Sequence, residues 1–288
     1  MATSIDGSRL RKLAIVPAYN EAGMVGRVIR DIRRAAPDFD IVVIDDGSTD
    51  ATRQEAEAEG AVVIRHPFNL GIGGAVQSGY KYALRGGYDV AVQVDGDGQH
   101  KPAHLHDLLA ALQTSGEPDM VYGSRFRGDP GYQVPLGRRI GNLIFSVVLS
   151  AITRQRITDP TSGFRMTNRR GIELFARDYP HDYPEVEALL MLHAHRLRVH
   201  EVHVQMNARG FGRSSIDYPR SAYYMVKVLL ALFVGLFRRR PTPVEATGED
   251  EPGVEPPAGP PGAANGDSQA AGDPAGSPVG GGEPRAEG

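Results

Sequence analysis

The 288-residue chain has no cysteine. That excludes a disulfide framework, thiol catalysis and thiolate metal ligands, and it suits a reducing compartment. The N-terminus, Met1 to Lys12, lacks the apolar core of an export signal. No internal repeat is evident. The glycine-rich run Gly71 to Gly74 lacks the Lys-Ser/Thr ending of a phosphate loop. A zinc centre is also disfavoured. His104 and His106, and the set His193, His195, His200 and His203, are joined by no cysteine or matched carboxylates, and i, i+2 spacing on a helix points to different faces.

Large apolar side chains are scarce from Pro241 to Gly288, where valine is the one sizeable aliphatic. A segment of this composition buries too little surface to offset its ordering entropy, so 241–288 reads as a disordered acidic tail. It holds nine acids against one base, which leaves the rest of the chain near +5 where the whole carries −3. A mildly basic body suits phosphate-bearing ligands, and nucleic acid is not expected as a partner.

Ala222 to Phe237 is strongly apolar, interrupted by Lys227 and closed by Arg238-Arg239-Arg240. As a helix it reaches about 24 Å, short of the ~30 Å hydrocarbon core. Basic residues beside it suit an anionic leaflet, so 217–240 reads as a membrane-interface helix, the alternative being a core helix packed on the domain.

The remainder alternates between strand and helix signals. Leu13 to Val16 reads as a buried strand ended by Pro17, and helical spacing runs from Gly23 to Ala36. Ile41 to Ile44 is a second strand, Ser48 or Thr49 a cap for the next helix, and Ala61 to Ile64 a third strand. A helix over 74–84 and a strand ending at Val94 follow, then Met120 to Tyr122, helices near 138–152, 168–176 and 184–197, and a strand over 199–206. The pattern predicts an α/β fold with a mostly parallel sheet flanked by helices. Ligands of such sheets sit beyond the carboxyl ends of the strands, where Pro17–Glu21, Asp45–Asp50 and Asp95–Gln99 should converge.

Asp95-Gly96-Asp97 puts two carboxylates at i and i+2 around a glycine, just past a strand. Both can swing toward one point, which suits Mg²⁺ or Mn²⁺ with coordination positions left for phosphate oxygens. The same residue types also make ordinary surface turns.

Val16-Pro17-Ala18-Tyr19-Asn20-Glu21, Ile44-Asp45-Asp46-Gly47-Ser48-Thr49-Asp50 and Asp95-Gly96-Asp97-Gly98-Gln99-His100, with Asn69 to Ala75 between the last two, occur in order. Together they resemble the inverting family-2 glycosyltransferases of GT-A fold, within them most the dolichyl- or polyprenyl-phosphate mannose or glucose synthases. The likeness covers about Leu13 to Arg213, so 13–216 is expected to be the catalytic domain after a flexible 1–12.

The resemblance implies that Pro17, Tyr19, Glu21, Ile44, Asp46, Asp95 and Gly96 bind the nucleotide sugar. Asp95, Asp97 and Gln99 would hold the metal, and Arg125 and Arg209 would reach phosphates, so that Asp97, Arg125 and Arg209 form the catalytic set. Arg139 and Arg213 are expected at the acceptor phosphate, although Arg213 also reads as a solvated loop charge. Asp46 also reads as a turn carboxylate before a helix, and Tyr19 as a half-buried packing ring. Gly163, in Asp159-Pro160-Thr161-Ser162-Gly163-Phe164-Arg165, is expected to permit close approach and Asp159 to be structural. A lysine common after the late Gly-x-Ser of this branch is replaced by Ser215.

The implied reaction moves a hexose from GDP-mannose or UDP-glucose to a polyprenyl phosphate with inversion. The implied place is the cytoplasmic inner face of a membrane, peripherally bound, with a membrane-protein partner possible through the tail. One alternative is a family member acting on a sugar or lipid hydroxyl, with Glu185 or Glu187 as base. Another is a non-catalytic nucleotide- or membrane-binding scaffold.

Overall fold

The structure, a computed structural model, describes residues 10–207 except 115, 128–135 and 182, and only the backbone of 136–138. The expected 217–240 helix, the 241–288 tail, Arg209 and Arg213 lie outside the described residues.

In chain order the elements are β1 (Lys12–Ala18), α1 (Val25–Ala35), β2 (Phe39–Asp45), α2 (Thr52–Ala58), β3 (Val62–Arg65), α3 (Gly71–Arg85) and β4 (Val90–Gln93). A 3-10 turn, Pro102–His104, leads into α4 (Leu105–Leu112) and β5 (Met120–Ser124). Then follow α5 (Leu136–Thr153), β6 (Arg165–Asn168), α6 (Arg169–Arg177), α7 (Pro184–Ala194) and β7 (Val199–His203).

The seven strands form one sheet in the order β3-β2-β1-β4-β6-β5-β7. All neighbours are parallel except β6, which runs antiparallel to both β4 and β5. Side-chain alternation divides the core into two layers. Leu13, Ile15, Val42 and Ile44 pack with residues of α3, α5, α6 and α7. Ala14, Val16, Ile41 and Val43 pack on the other face with residues of α1, α2 and α4. Both faces of the central strands are therefore apolar, as a covered parallel sheet requires.

Two local expectations are corrected. Pro17 does not end β1; the strand continues to Ala18, pairing Pro17 with Ile44. Past Ile15 the pairing with β4 ends, and Pro17, which has no N–H to donate, still accepts from Gly96 N–H (3.2 Å) on that side. Ser48 and Thr49 do not cap α2, whose N-cap residue is Ala51, with no side-chain cap. They turn back to the β1 loop: Asn20 N–H donates to Ser48 Oγ (3.0 Å) and Thr49 N–H to Asn20 Oδ1 (2.9 Å).

Candidate active site

The exits of β1, β2 and β4 and the first turn of α3 surround an open cavity of about 350 Å³. Pro17, Tyr19, Glu21, Asp46, Asp95, Gly96 and Asp97 line it, joined by Ala18, Asn69, Gly71, Ile72 and Ala75. Segments separated by up to 80 positions meet here because parallel strands bring their carboxyl ends to one rim.

Hydrogen bonds stitch the loops together. Glu21 N–H donates to Thr52 Oγ1 (2.8 Å), fixing the β1 loop to the start of α2. Asp46, buried at the end of β2, accepts from Leu70 N–H (2.9 Å) and Gly71 N–H (2.9 Å), and its Oδ1 meets His66 Nδ1 at 2.7 Å. The other ring nitrogen of His66 meets Ser78 Oγ on α3 (2.9 Å). Asp46 thereby ties the first turn of α3 to the cavity wall. Gly47, at φ +75, is needed beside it, since a Cβ there would lie 2.8 Å from the Phe68 carbonyl carbon.

Asp95 is held on three sides. Gln93 Nε2 donates to its Oδ1 (2.8 Å), and its own N–H donates to His100 Nδ1 (3.0 Å). With Nδ1 accepting, the neutral ring carries its proton on Nε2, which faces Asp95 Oδ2 at 3.5 Å. Phe164 stacks on that ring, with centroids 4.8 Å apart, and fixes its plane. Gly163 lies against the carboxylate, as expected: a Cβ there would sit 3.2 Å from Asp95 Oδ2.

Asp97 Oδ1 accepts from Gln99 N–H (3.0 Å), and its Oδ2 accepts from the Gln99 carboxamide. Gln99 therefore backs Asp97, and it does not line the cavity. Among the described residues no group of three or more His, Cys, Asp or Glu forms a closed metal cage. The donor set is two carboxylates, Asp95 one-third exposed, both bordering the cavity. That chemistry fits a hard divalent ion that keeps positions for phosphate oxygens and water.

The remaining expected residues lie elsewhere. Ile44 is fully buried in the core and does not reach the cavity. Its position at the end of a covered central strand makes it a packing residue. Arg125 lies outside the cavity lining and forms a bidentate pair with buried Asp159: Nε to Oδ2 at 2.7 Å and Nη2 to Oδ1 at 2.7 Å. Nη2 also donates to Thr161 Oγ1 (2.8 Å). Asp159 is structural, as expected, and Arg125 orders the 159–161 segment. Arg139 is exposed on α5.

Sequence reading missed several supporting groups. Arg165, fully buried, donates from Nε to Ser162 O (2.7 Å) and from Nη2 to Pro160 O (3.2 Å) and Glu185 O (2.5 Å). It joins the Gly163 loop to the start of α7. Glu201 on β7 is buried and accepts from Tyr122 Oη (2.5 Å), Thr158 N–H (2.7 Å) and Asp159 N–H (3.0 Å). Burial, with the Glu201 charge beside it, drives the Tyr122 hydroxyl pKa far above its usual value, so the phenol stays a donor. Burial also raises the Glu185 carboxyl; the Arg165 guanidinium opposes this and the charge on Asp95 adds to it. Arg165 closes the Asp159–Arg165 segment singled out in sequence, but nothing there marks it as a buried brace, and Glu201 stands in a strand-like run with no motif around it.

The mostly parallel sheet, with paired carboxylates gathered at its carboxyl edge around an open cavity, has the GT-A fold. The family model for glycosyl transferase family 2 matches residues 13–175, and the chain belongs to that family. It is similar to an undecaprenyl-phosphate mannosyltransferase of Micrococcus luteus, 35% identical over 163 residues, covering 54% of this chain and 65% of that protein. It is similar also to the dolichyl-phosphate beta-glucosyltransferase of Saccharomyces cerevisiae, 25% identical over 256 residues, covering 78% and 75%. In fold it matches glucosyl-3-phosphoglycerate synthase from Mycobacterium tuberculosis, crystallised with Mn²⁺, uridine diphosphate and phosphoglyceric acid. The TM-score is 0.60 at 21% identity, covering 79% of this chain and 78% of that one.

Proposed function

We propose that the protein transfers a hexose from a nucleotide-diphosphate sugar, GDP-mannose or UDP-glucose, to a polyprenyl or dolichyl phosphate with inversion. One observation carries this reading: Asp95 and Asp97 border the same cavity as Asp46 and the Pro17–Glu21 loop. A nucleotide would lie between Pro17, Tyr19, Glu21 and the first turn of α3. Its diphosphate would then fall beside Gly96 and the two carboxylates. The names of the relatives support the lipid-phosphate acceptor.

Asp95 and Asp97 are the residues to hold Mg²⁺ or Mn²⁺, with Gln99 orienting Asp97. Such an ion, when bound, neutralises the charge that develops on the departing diphosphate. Gln93 and His100 hold the Asp95 carboxylate in one orientation, so little reorganisation accompanies the reaction. The acceptor, a phosphate monoester with a second pKa near ~6, is ionised at neutral pH and attacks without a general base. Arg125 keeps the 159–161 segment in place, while Arg209 and Arg213 are the proposed partners of the phosphates, and Arg139 a further acceptor-side cation. The proposed place of action is the cytoplasmic face of a membrane.

The test incubates the purified full chain with each donor and follows nucleotide release and labelled product, with polyprenyl phosphate or with free sugars and glycolipids as acceptors. Transfer to the lipid phosphate supports the proposal. Transfer confined to hydroxyl acceptors overturns it and turns attention to Glu185 as base.

A further inference from the structure

The turn between β3 and α3 is wrapped around a single carboxylate. His66, directly after β3, meets Asp46 Oδ1 with its Nδ1 (2.7 Å). Further along the turn, Leu70 N–H donates to the same oxygen (2.9 Å) and Gly71 N–H to Oδ2 (2.9 Å). Asp46 therefore holds both ends of the turn that carries Asn69. Asn69, Gly71 and Ile72 line the cavity with it. A carboxylate offers about four acceptor positions. Among the described residues these donors fill three, which leaves one on Oδ2.

His66 decides how that carboxylate is turned. Its ring is buried and stands outside the cavity lining, so it acts through Asp46. The carboxylate only accepts, so Nδ1 carries the proton, and the neutral ring takes the Ser78 hydroxyl at Nε2 (2.9 Å). Ser78 stands on α3, two turns beyond Gly71 on the same helical face. The His66 N–H donates to Asp45 O (2.9 Å), which fixes the residue against the end of β2. One imidazole thus joins β2, through Asp46, to α3, through Ser78.

We propose that His66 is a positioning residue for nucleotide binding. It turns Asp46 so that Oδ2 faces the nucleoside, and it anchors the cavity wall formed by the start of α3. This rests on the proposed nucleotide-sugar site at Asp46 and is independent of the acceptor. Without the imidazole, Asp46 Oδ1 loses one of its two donors, and the start of α3 is held to Asp46 by backbone bonds alone. Asp95 and Asp97 keep their own supports in Gln93, His100 and Gln99. The effect therefore falls on affinity for the donor and spares the rate of the bound complex.

The experiment measures dissociation constants of GDP and UDP with Mn²⁺ for the full chain by calorimetry. Donor KM and kcat are then read by nucleotide release with polyprenyl phosphate. For the nucleotide that wild type binds, His66→Ala should raise the dissociation constant and the donor KM about tenfold or more, with kcat within about twofold, because a hydrogen bond to a charged group is lost. His66→Asn keeps a donor at the δ position for Asp46 but does not reach Ser78. It should therefore resemble Ser78→Ala, both weaker than wild type by about two- to fivefold. All are compared well below their melting temperatures, where a purely structural role leaves affinity unmoved. Wild-type affinity in folded His66→Ala overturns the proposal, as does His66→Asn binding as weakly as His66→Ala. If His66→Ala does not fold, Ser78→Ala decides: weakened binding supports the proposal and unchanged binding overturns it. Failure of wild type to bind either nucleotide overturns both this inference and the proposed function. The expected ranking without transfer to polyprenyl phosphate supports this inference and counts against the proposed acceptor alone.

Discussion

Gly163→Ala tests how closely the site geometry is held. The added Cβ would lie 3.1 Å from Gln93 Nε2 and 3.2 Å from Asp95 Oδ2, inside the 3.4–4 Å of ordinary contact. Asp95 must therefore retreat by a few tenths of an ångström or loosen its 2.8 Å bond from Gln93. Gly163 does not have a positive φ, so alanine adopts its backbone without strain. The unfolded chain loses entropy, so stability should hold or rise by up to about 1 kcal/mol. Reacting groups tolerate misplacement of only about 0.5 Å, and a full ångström costs roughly a hundredfold. The expected result is a kcat lower by about three- to tenfold, a higher metal concentration for half-maximal rate, and a melting temperature that holds or rises by roughly 2–4 °C. Nucleotide release measured across a metal titration reads all but the last. Wild-type kcat and metal dependence in both Gly163→Ala and the bulkier Gly163→Val would show that the position of Asp95 does not matter, and the site assignment would fail.

Asp97→Asn should reduce transfer by roughly a hundredfold or more while the circular dichroism spectrum stays the same; retained turnover would remove Asp97 from the mechanism. Chelation of divalent ions should stop transfer, and added Mg²⁺ or Mn²⁺ should restore it; full activity in chelator would refute the two-carboxylate site. Arg165→Met should lower unfolding free energy by about 3–5 kcal/mol in urea titration, because buried carbonyls of residues 160, 162 and 185 lose a charged donor. A loss under 1 kcal/mol would mean that water replaces the guanidinium. Tyr122→Phe should cost about 1.5–3 kcal/mol by removing a 2.5 Å donor to buried Glu201, and a neutral outcome in the same assay would refute that role.

The cavity-lining part of the candidate site is legible in sequence because its signals are local. Tyr19, Asp46, Asp95 and Asp97 each stand just past a run of buried strand residues, with Pro17 one residue before the end of β1, and a parallel sheet gathers such positions by construction. The helix α4 was overlooked although Leu105, Leu108, Leu109 and Leu112 recur at helical spacing and are buried. It follows a polar, histidine-containing turn that interrupts the apolar pattern. Strand β6 was missed for a different reason. Its four residues, Arg-Met-Thr-Asn, carry too little alternation to announce a strand, and tertiary contact with β4 and β5 decides its conformation. The Arg125–Asp159 pair spans 34 positions, and the bonds from Tyr122 and Thr158 to Glu201 span 79 and 43. No spacing rule reaches across such separations, so the pairing of Arg125 with Asp159 is not legible in sequence.

The reversed direction of β6 has a consequence for how such a molecule can change. Because Gln93 pairs with Arg165, the chain enters β6 at the rim that its neighbours leave. On the proposed function, the residues facing the acceptor would belong to an inbound connection and those facing the nucleotide to outbound ones. Remodelling that connection short of Gly163 and Phe164, which pack on Asp95 and His100, leaves the bonds between the β1 and β2 turns in place. A scaffold wired in this way can exchange one reactant for another while keeping its hold on the first.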